Sequence, residues 1–196
     1  MKNSIWKSTL PVLFVLGCAN FAHAGFIGRE VSVEYAFPDL TTNYPQAIST
    51  PQSFLVTDPG IESVVNVEGV TTIAVDFTDQ SLFIQFGTIL TNPRWNDATF
   101  SGLLFTLISG GPFSLANGIV NQGSTTLGGF DASDISFSDT QIFLNWNGLS
   151  YGNGTTLRID FEFARDVPEP ATLGLLGIGL VGVVAQRRRS NANKRA

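Results

Sequence analysis

Between residues 25 and 170 the chain holds no histidine, cysteine, lysine or methionine. Without His or Cys there is no Ser-His-Asp or Cys-His nucleophile system and no ordinary zinc set. Without Lys there is no Schiff base and no phosphate-binding P-loop. All 16 Asp and Glu fall in this stretch. Paired carboxylates of the glycosidase kind are the one common catalytic device left, and so many acids form pairs without singling out a site. The stretch therefore reads as non-enzymatic, with a glycosidase as the least favoured reading.

Two groups of residues have the chemistry for binding. Asp131, Ser133, Asp134 and Asp139, followed by Asn145 and Asn147, are hard oxygen donors of the kind calcium takes. Their spacing does not fit an EF-hand, and the plain alternative is that Asp and Ser end strands through local turns. Calcium at Asp131, Asp134 and Asp139 is the only cofactor expectation. Trp95, Trp146, Tyr44 and Tyr151 can stack on sugar rings. Trp146 runs in phase with Ile142 and Leu144 and reads as core, whereas Trp95 lies in the turn-like Asn92-Pro93-Arg94-Trp95-Asn96 and reads as surface. Trp95 and Tyr151 are thus the candidate sugar contacts.

The elements that position these residues are strands. Val31, Val33, Tyr35 and Phe37 alternate with smaller or polar residues, as do Ile73, Val75 and Phe77, then Ile142, Leu144 and Trp146, then Leu157, Ile159, Phe161 and Phe163. A period of two means one buried and one wetted face. Weaker strand signals cover Ser53–Thr57, Ser63–Glu68, Ser81–Phe86, Phe100–Ile108, Ile119–Val120 and Ile135–Phe137, separated by turn signals such as Asp58-Pro59-Gly60 and Gly152-Asn153-Gly154. No amphipathic helix of useful length interrupts them. This pattern predicts an all-β fold: a single antiparallel β-sandwich, jelly-roll-like, of about eight to ten strands over residues 25–163.

The ends of the chain carry addresses. Lys2 and Lys7 precede an apolar run at 10–16, and Ala22-His23-Ala24 puts small residues where a signal peptidase needs them. Residues 1–24 read as a secretory signal peptide cut between Ala24 and Gly25. A rival cut before Cys18, at the lipobox-like Val15-Leu16-Gly17-Cys18, would give a lipoprotein instead. Over residues 25–170 four arginines face 16 acids, a net charge of −12, whereas the whole chain stands at −5. So acidic a surface repels nucleic acid. With no cysteine past Cys18, the exported part must hold by packing, without disulfides.

At the other end, Val167-Pro168-Glu169-Pro170 is followed by an uncharged run from Ala171 to Ala185 and then Arg187-Arg188-Arg189. Proline on either side of Glu169 keeps the backbone extended, and residues 164–170 read as a linker. As a helix the run would reach roughly 22 Å at 1.5 Å per residue, short of a bilayer core of about 30 Å. Residues 171–186 are expected to form a short transmembrane helix, with 187–196 as a basic cytoplasmic tail held by the positive-inside rule.

In this order and spacing, residues 167–189 resemble the PEP-CTERM sorting signal. The resemblance implies processing by an exosortase, a membrane enzyme for which Pro168, Glu169 and Pro170 form the recognition motif and Arg187, Arg188 and Arg189 the stop-transfer cluster. It also implies an inner-membrane-anchored precursor in a Gram-negative bacterium. The delivered product would then sit at the cell surface or in an extracellular matrix, with exopolysaccharide as a partner beyond signal peptidase and exosortase. The alternatives are an uncut membrane anchor and, for the domain, a carbohydrate-binding module, with or without calcium.

Overall fold

The computed structural model describes residues 25–164, and the expected signal peptide, transmembrane helix and basic tail lie outside them. Eleven strands follow one another: β1 (Glu30–Ala36), β2 (Ala47–Thr50), β3 (Ser53–Leu55), β4 (Ser63–Val67), β5 (Thr71–Phe77), β6 (Ser81–Thr88), β7 (Gly102–Ser109), β8 (Leu115–Val120), β9 (Ile135–Phe137), β10 (Gln141–Asn145) and β11 (Thr156–Phe163). They form a five-stranded sheet in the order β3-β1-β7-β10-β9 and a six-stranded sheet in the order β2-β4-β5-β6-β11-β8. Every pairing is antiparallel. One 3-10 turn, Ala132–Asp134, precedes β9. Among the described residues no helix is long and apolar enough to cross a membrane.

Alternation in the sequence becomes alternation in burial. Val31, Val33 and Tyr35 of β1, Leu103 and Phe105 of β7, and Ile142 and Leu144 of β10 point inward from the smaller sheet. From the larger sheet, Val65 and Val67, Ile73, Val75 and Phe77, Leu82, Ile84 and Phe86, and Leu157, Ile159 and Phe161 meet them in one core. Each such side chain contributes about 1.5–3 kcal/mol on leaving water. No disulfide is needed to hold these two layers together, because the core runs the length of both sheets.

The core has two aromatic poles. At one, Phe26 packs edge-on against Phe77 (ring centroids 5.0 Å apart), Phe113 (5.8 Å), Phe161 (5.3 Å) and Phe163 (5.1 Å). At the other, Tyr35, Phe86, Trp95, Trp146 and Tyr151 form a continuous ring cluster. Edge-on and offset geometries of this kind suit the aromatic quadrupole and add about 0.5–1.5 kcal/mol per pair beyond burial.

Eleven strands exceed the expected eight to ten. The additional one is β2, whose residues Ala47–Thr50 sit between Pro45 and Pro51 at the edge of the larger sheet. An edge strand this short and half-exposed has little apolar alternation to reveal it.

Candidate binding cleft

The candidate sugar contacts meet at the Trp/Tyr pole, but not on an open surface. Trp95 N donates to Leu149 O (2.9 Å) and Tyr151 N to Pro93 O (3.1 Å), with an isolated antiparallel bridge between Arg94 and Ser150. This pairing turns the 92–96 loop inward. Trp95 is only 7% exposed, which corrects its expected placement on the surface. Its ring lies flat on Tyr151, with centroids 4.4 Å apart and planes 13° apart. Trp146 is fully buried, as its phase with Ile142 and Leu144 demands. Trp95 Nε1 is buried with no hydrogen-bond partner among the described residues.

Over this pole opens a cavity of about 220 Å³. Tyr35, Tyr44, Trp95 and Tyr151 supply aromatic walls, and Glu68, Thr71, Arg94, Asn96 and Ser101 supply polar groups. The sequence drew no attention to Glu68 or Thr71. The only available signal was the Glu68-Gly69 turn between two strand patterns. In the fold, Glu68 adopts a left-handed φ of 56° and its Oε1 accepts a short hydrogen bond from the Tyr44 hydroxyl. Thr71 Oγ1 lies 2.8 Å from the Tyr151 hydroxyl and 3.1 Å from Thr88 Oγ1. The Tyr35 hydroxyl pairs with Ser101 Oγ at 2.9 Å.

All three tyrosines are held as neutral phenols. Burial pushes Tyr35 well above the ordinary range and raises Tyr151, while the hydrogen bond to Glu68 raises Tyr44. The cleft thus offers phenol hydroxyls, one carboxylate and one guanidinium around apolar faces. Such groups can hydrogen-bond to hydroxyls and stack on apolar ring faces. Ligand-sized pockets run from about 300 to 1,000 Å³, and this one lies below that range.

The aspartates expected for calcium carry local hydrogen bonds in the fold. Asp131 Oδ1 accepts from Ser133 N and Ser133 Oγ, both at 2.7 Å, and Asp134 Oδ2 accepts from Asp131 N at 2.9 Å. This is a reciprocal capping box on the 3-10 turn. Those bonds hold the Asp131 carboxyl below the usual range, whereas burial raises Asp134. Asn145 Oδ1 is occupied by Ser101 N (3.0 Å) and Asn147 N (3.3 Å). Asp139 serves through its backbone, its carbonyl accepting from Phe113 N. Among the described residues no three acidic, His or Cys side chains gather to hold a metal.

The fold defines an all-β, two-sheet domain. The chain's address comes from beyond it: residues 166–189 match the PEP-CTERM protein-sorting motif. That stretch contains Pro168, Glu169, Pro170 and Arg187–Arg189, and the match supports exosortase-dependent sorting. No curated protein and no solved structure matches the chain.

Proposed function

We propose that this chain is an exported protein of a Gram-negative cell envelope, processed by an exosortase and delivered to the cell surface or extracellular matrix. There its β-sandwich serves a structural or interactive role alongside exopolysaccharide. The chain is a substrate of processing, not an enzyme. The observation that carries this reading is the sorting-motif match at residues 166–189, placed directly after an acidic, lysine-free all-β domain. Strands β1 to β4 and β6 to β9 alternate between the sheets, which supports a jelly-roll-like ancestry for the domain. The test replaces Pro168, Glu169 and Pro170 with alanine in an exosortase-bearing host. Intact mass of the wild-type product should show loss of the residues after the motif, and the variant should keep them. A wild-type product that retains Arg187–Arg189 overturns the reading in favour of a plain anchor.

A second reading, favoured by the cleft at the Trp/Tyr pole, is recognition of one sugar unit of a polysaccharide. Because Trp95 is core, Trp95→Ala is a poor probe. Tyr44→Phe and Glu68→Gln change polar groups on the more exposed rim, keep the Tyr44 ring packing, and should weaken polysaccharide pull-down while the melting temperature holds. Undiminished pull-down by both variants removes the cleft from consideration.

A further inference from the structure

At the Phe pole the described residues start in tight packing. Gly25 is buried. Its carbonyl accepts from Arg29 Nε at 2.6 Å, and the next residue is locked twice: Phe26 N donates to Asp79 O at 2.9 Å and the Phe26 ring is fully buried. A side chain at position 25 has no room. A Cβ there would fall 2.0 Å from Asp79 Oδ1, 2.7 Å from its Cγ and 3.0 Å from Oδ2. The Asp79 carboxylate therefore lies directly against the Gly25 Cα, and the Gly25 nitrogen is one bond from that same Cα. Arg29 is close enough to Asp79 for the two charges to interact. Asp58, Arg158 and Asp160 line the open cavity beside it.

We propose that Asp79 is the seat of the mature N-terminus. This rests on the reading that signal peptidase cuts between Ala24 and Gly25. Hydrolysis adds water across that amide: the C–N bond breaks, Ala24 leaves as a carboxylate and Gly25 becomes an α-ammonium. A neutral amide nitrogen beside Asp79 is thereby converted into a full positive charge with three donors. Charge-assisted bonds to a carboxylate are about twice as strong as neutral ones. Export processing thus does more than release the domain: it adds the ion pair that closes this end of the sandwich. Glycine at the cut site serves the fold as well as the peptidase, since any larger residue would push the ammonium off the carboxylate.

The chain supplies its own probe. From 25 to 170 it has no lysine, so once the tail is removed the Gly25 amine is the sole primary amine. N-terminal sequencing of the exported protein comes first. A start at Gly25 sustains the cleavage reading, and a start at Cys18 or elsewhere overturns it and the pairing with it. The mature protein is then acetylated at that amine in urea, refolded and compared with unmodified protein, in wild type and in Asp79→Asn. Pairing predicts that acetylation lowers the wild-type melting temperature by on the order of 3 °C and leaves Asp79→Asn unchanged. Equal shifts in both backgrounds overturn the pairing while leaving the cleavage site intact. Gly25→Ala gives an independent arm. Its melting temperature should fall, and Asp79→Gly in the same chain should recover the steric part of the loss but not the part due to the ion pair; no recovery counts against the contact.

Discussion

Trp95 and Tyr151 lie face to face, 4.4 Å between centroids, one from a loop that the sequence marks as a turn and one from the segment leading into β11. The stack fastens the 92–96 loop to the sandwich and forms the floor of the cleft. Trp95→Ala should destabilise the domain by about 3–5 kcal/mol, as for other buried large-to-small aromatic changes. Tyr151→Phe keeps the stack and loses the hydroxyl's bond to Thr71, and should cost roughly 0.5–1.5 kcal/mol. Urea denaturation followed by tryptophan fluorescence separates the two.

Gly102 begins β7 opposite Asn145 of β10. A Cβ there would stand 1.8 Å from Leu144 O, a backbone atom that cannot step aside without breaking the ladder. Gly102→Ala is therefore expected to cost at least about 3 kcal/mol. Soluble yield and melting temperature check this, and a variant as stable as wild type would mean that the two strands sit farther apart.

Arg29 holds three carbonyls with one guanidinium: Gly25 O through Nε, and Gly111 O and Pro112 O through Nη1. Its plane also lies over the Phe113 ring, 5.9 Å from the centroid. Hydrogen bonds to a charged donor contribute roughly 1.5–3 kcal/mol each. Arg29→Met should lose about 3 kcal/mol or more, and Arg29→Lys should not restore it, because a single ammonium cannot span the fork. Denaturant midpoints of both variants give the answer.

Glu62 is 9% exposed; its carboxylate accepts from Phe77 N (2.7 Å) and Thr57 N (3.3 Å). Burial outweighs these bonds and raises its pKa above the ordinary 4.5. The folded state then holds the proton longer than the unfolded one, so this group's contribution is fully present below 4.5 and is lost as pH rises through the folded value. Glu62→Gln should be less stable than wild type by roughly 1 kcal/mol below pH 4.5, for the lost acceptor, and, lacking the falling limb, should narrow or reverse that gap as pH rises. Urea unfolding of both proteins from about pH 4 to pH 7, read as a difference curve, tests the sign.

The two-layer architecture was legible wherever one face of a strand is apolar and the other is not. Val31-Ser32-Val33-Glu34-Tyr35 and Leu157-Arg158-Ile159-Asp160-Phe161 declare their inner faces residue by residue. Ala47–Thr50 does not, because an edge strand buries little. The site was harder to read because side-chain direction in a loop depends on what that loop pairs with. Asn92-Pro93-Arg94-Trp95-Asn96 is indeed irregular, yet its bonds to Leu149 and Tyr151 turn Trp95 into the core. Asp131 and Asp134 illustrate the same limit: an acid three residues from another acid is equally a ligand pair or a capping box, and only the turn between them decides.

The scarcity of basic residues reaches beyond charge. A protease of trypsin specificity must cut after lysine or arginine, and residues 25–164 offer it only Arg29, Arg94 and Arg158. Arg29 is buried and Arg158 sits within β11, paired to β6. Arg94, with a side chain 61% exposed, is the sole inviting bond, and the carbonyl and amide pairing around it holds even that loop against the sheet. Residues 25–164 therefore give a protease of trypsin specificity little to cut, without a disulfide to protect them.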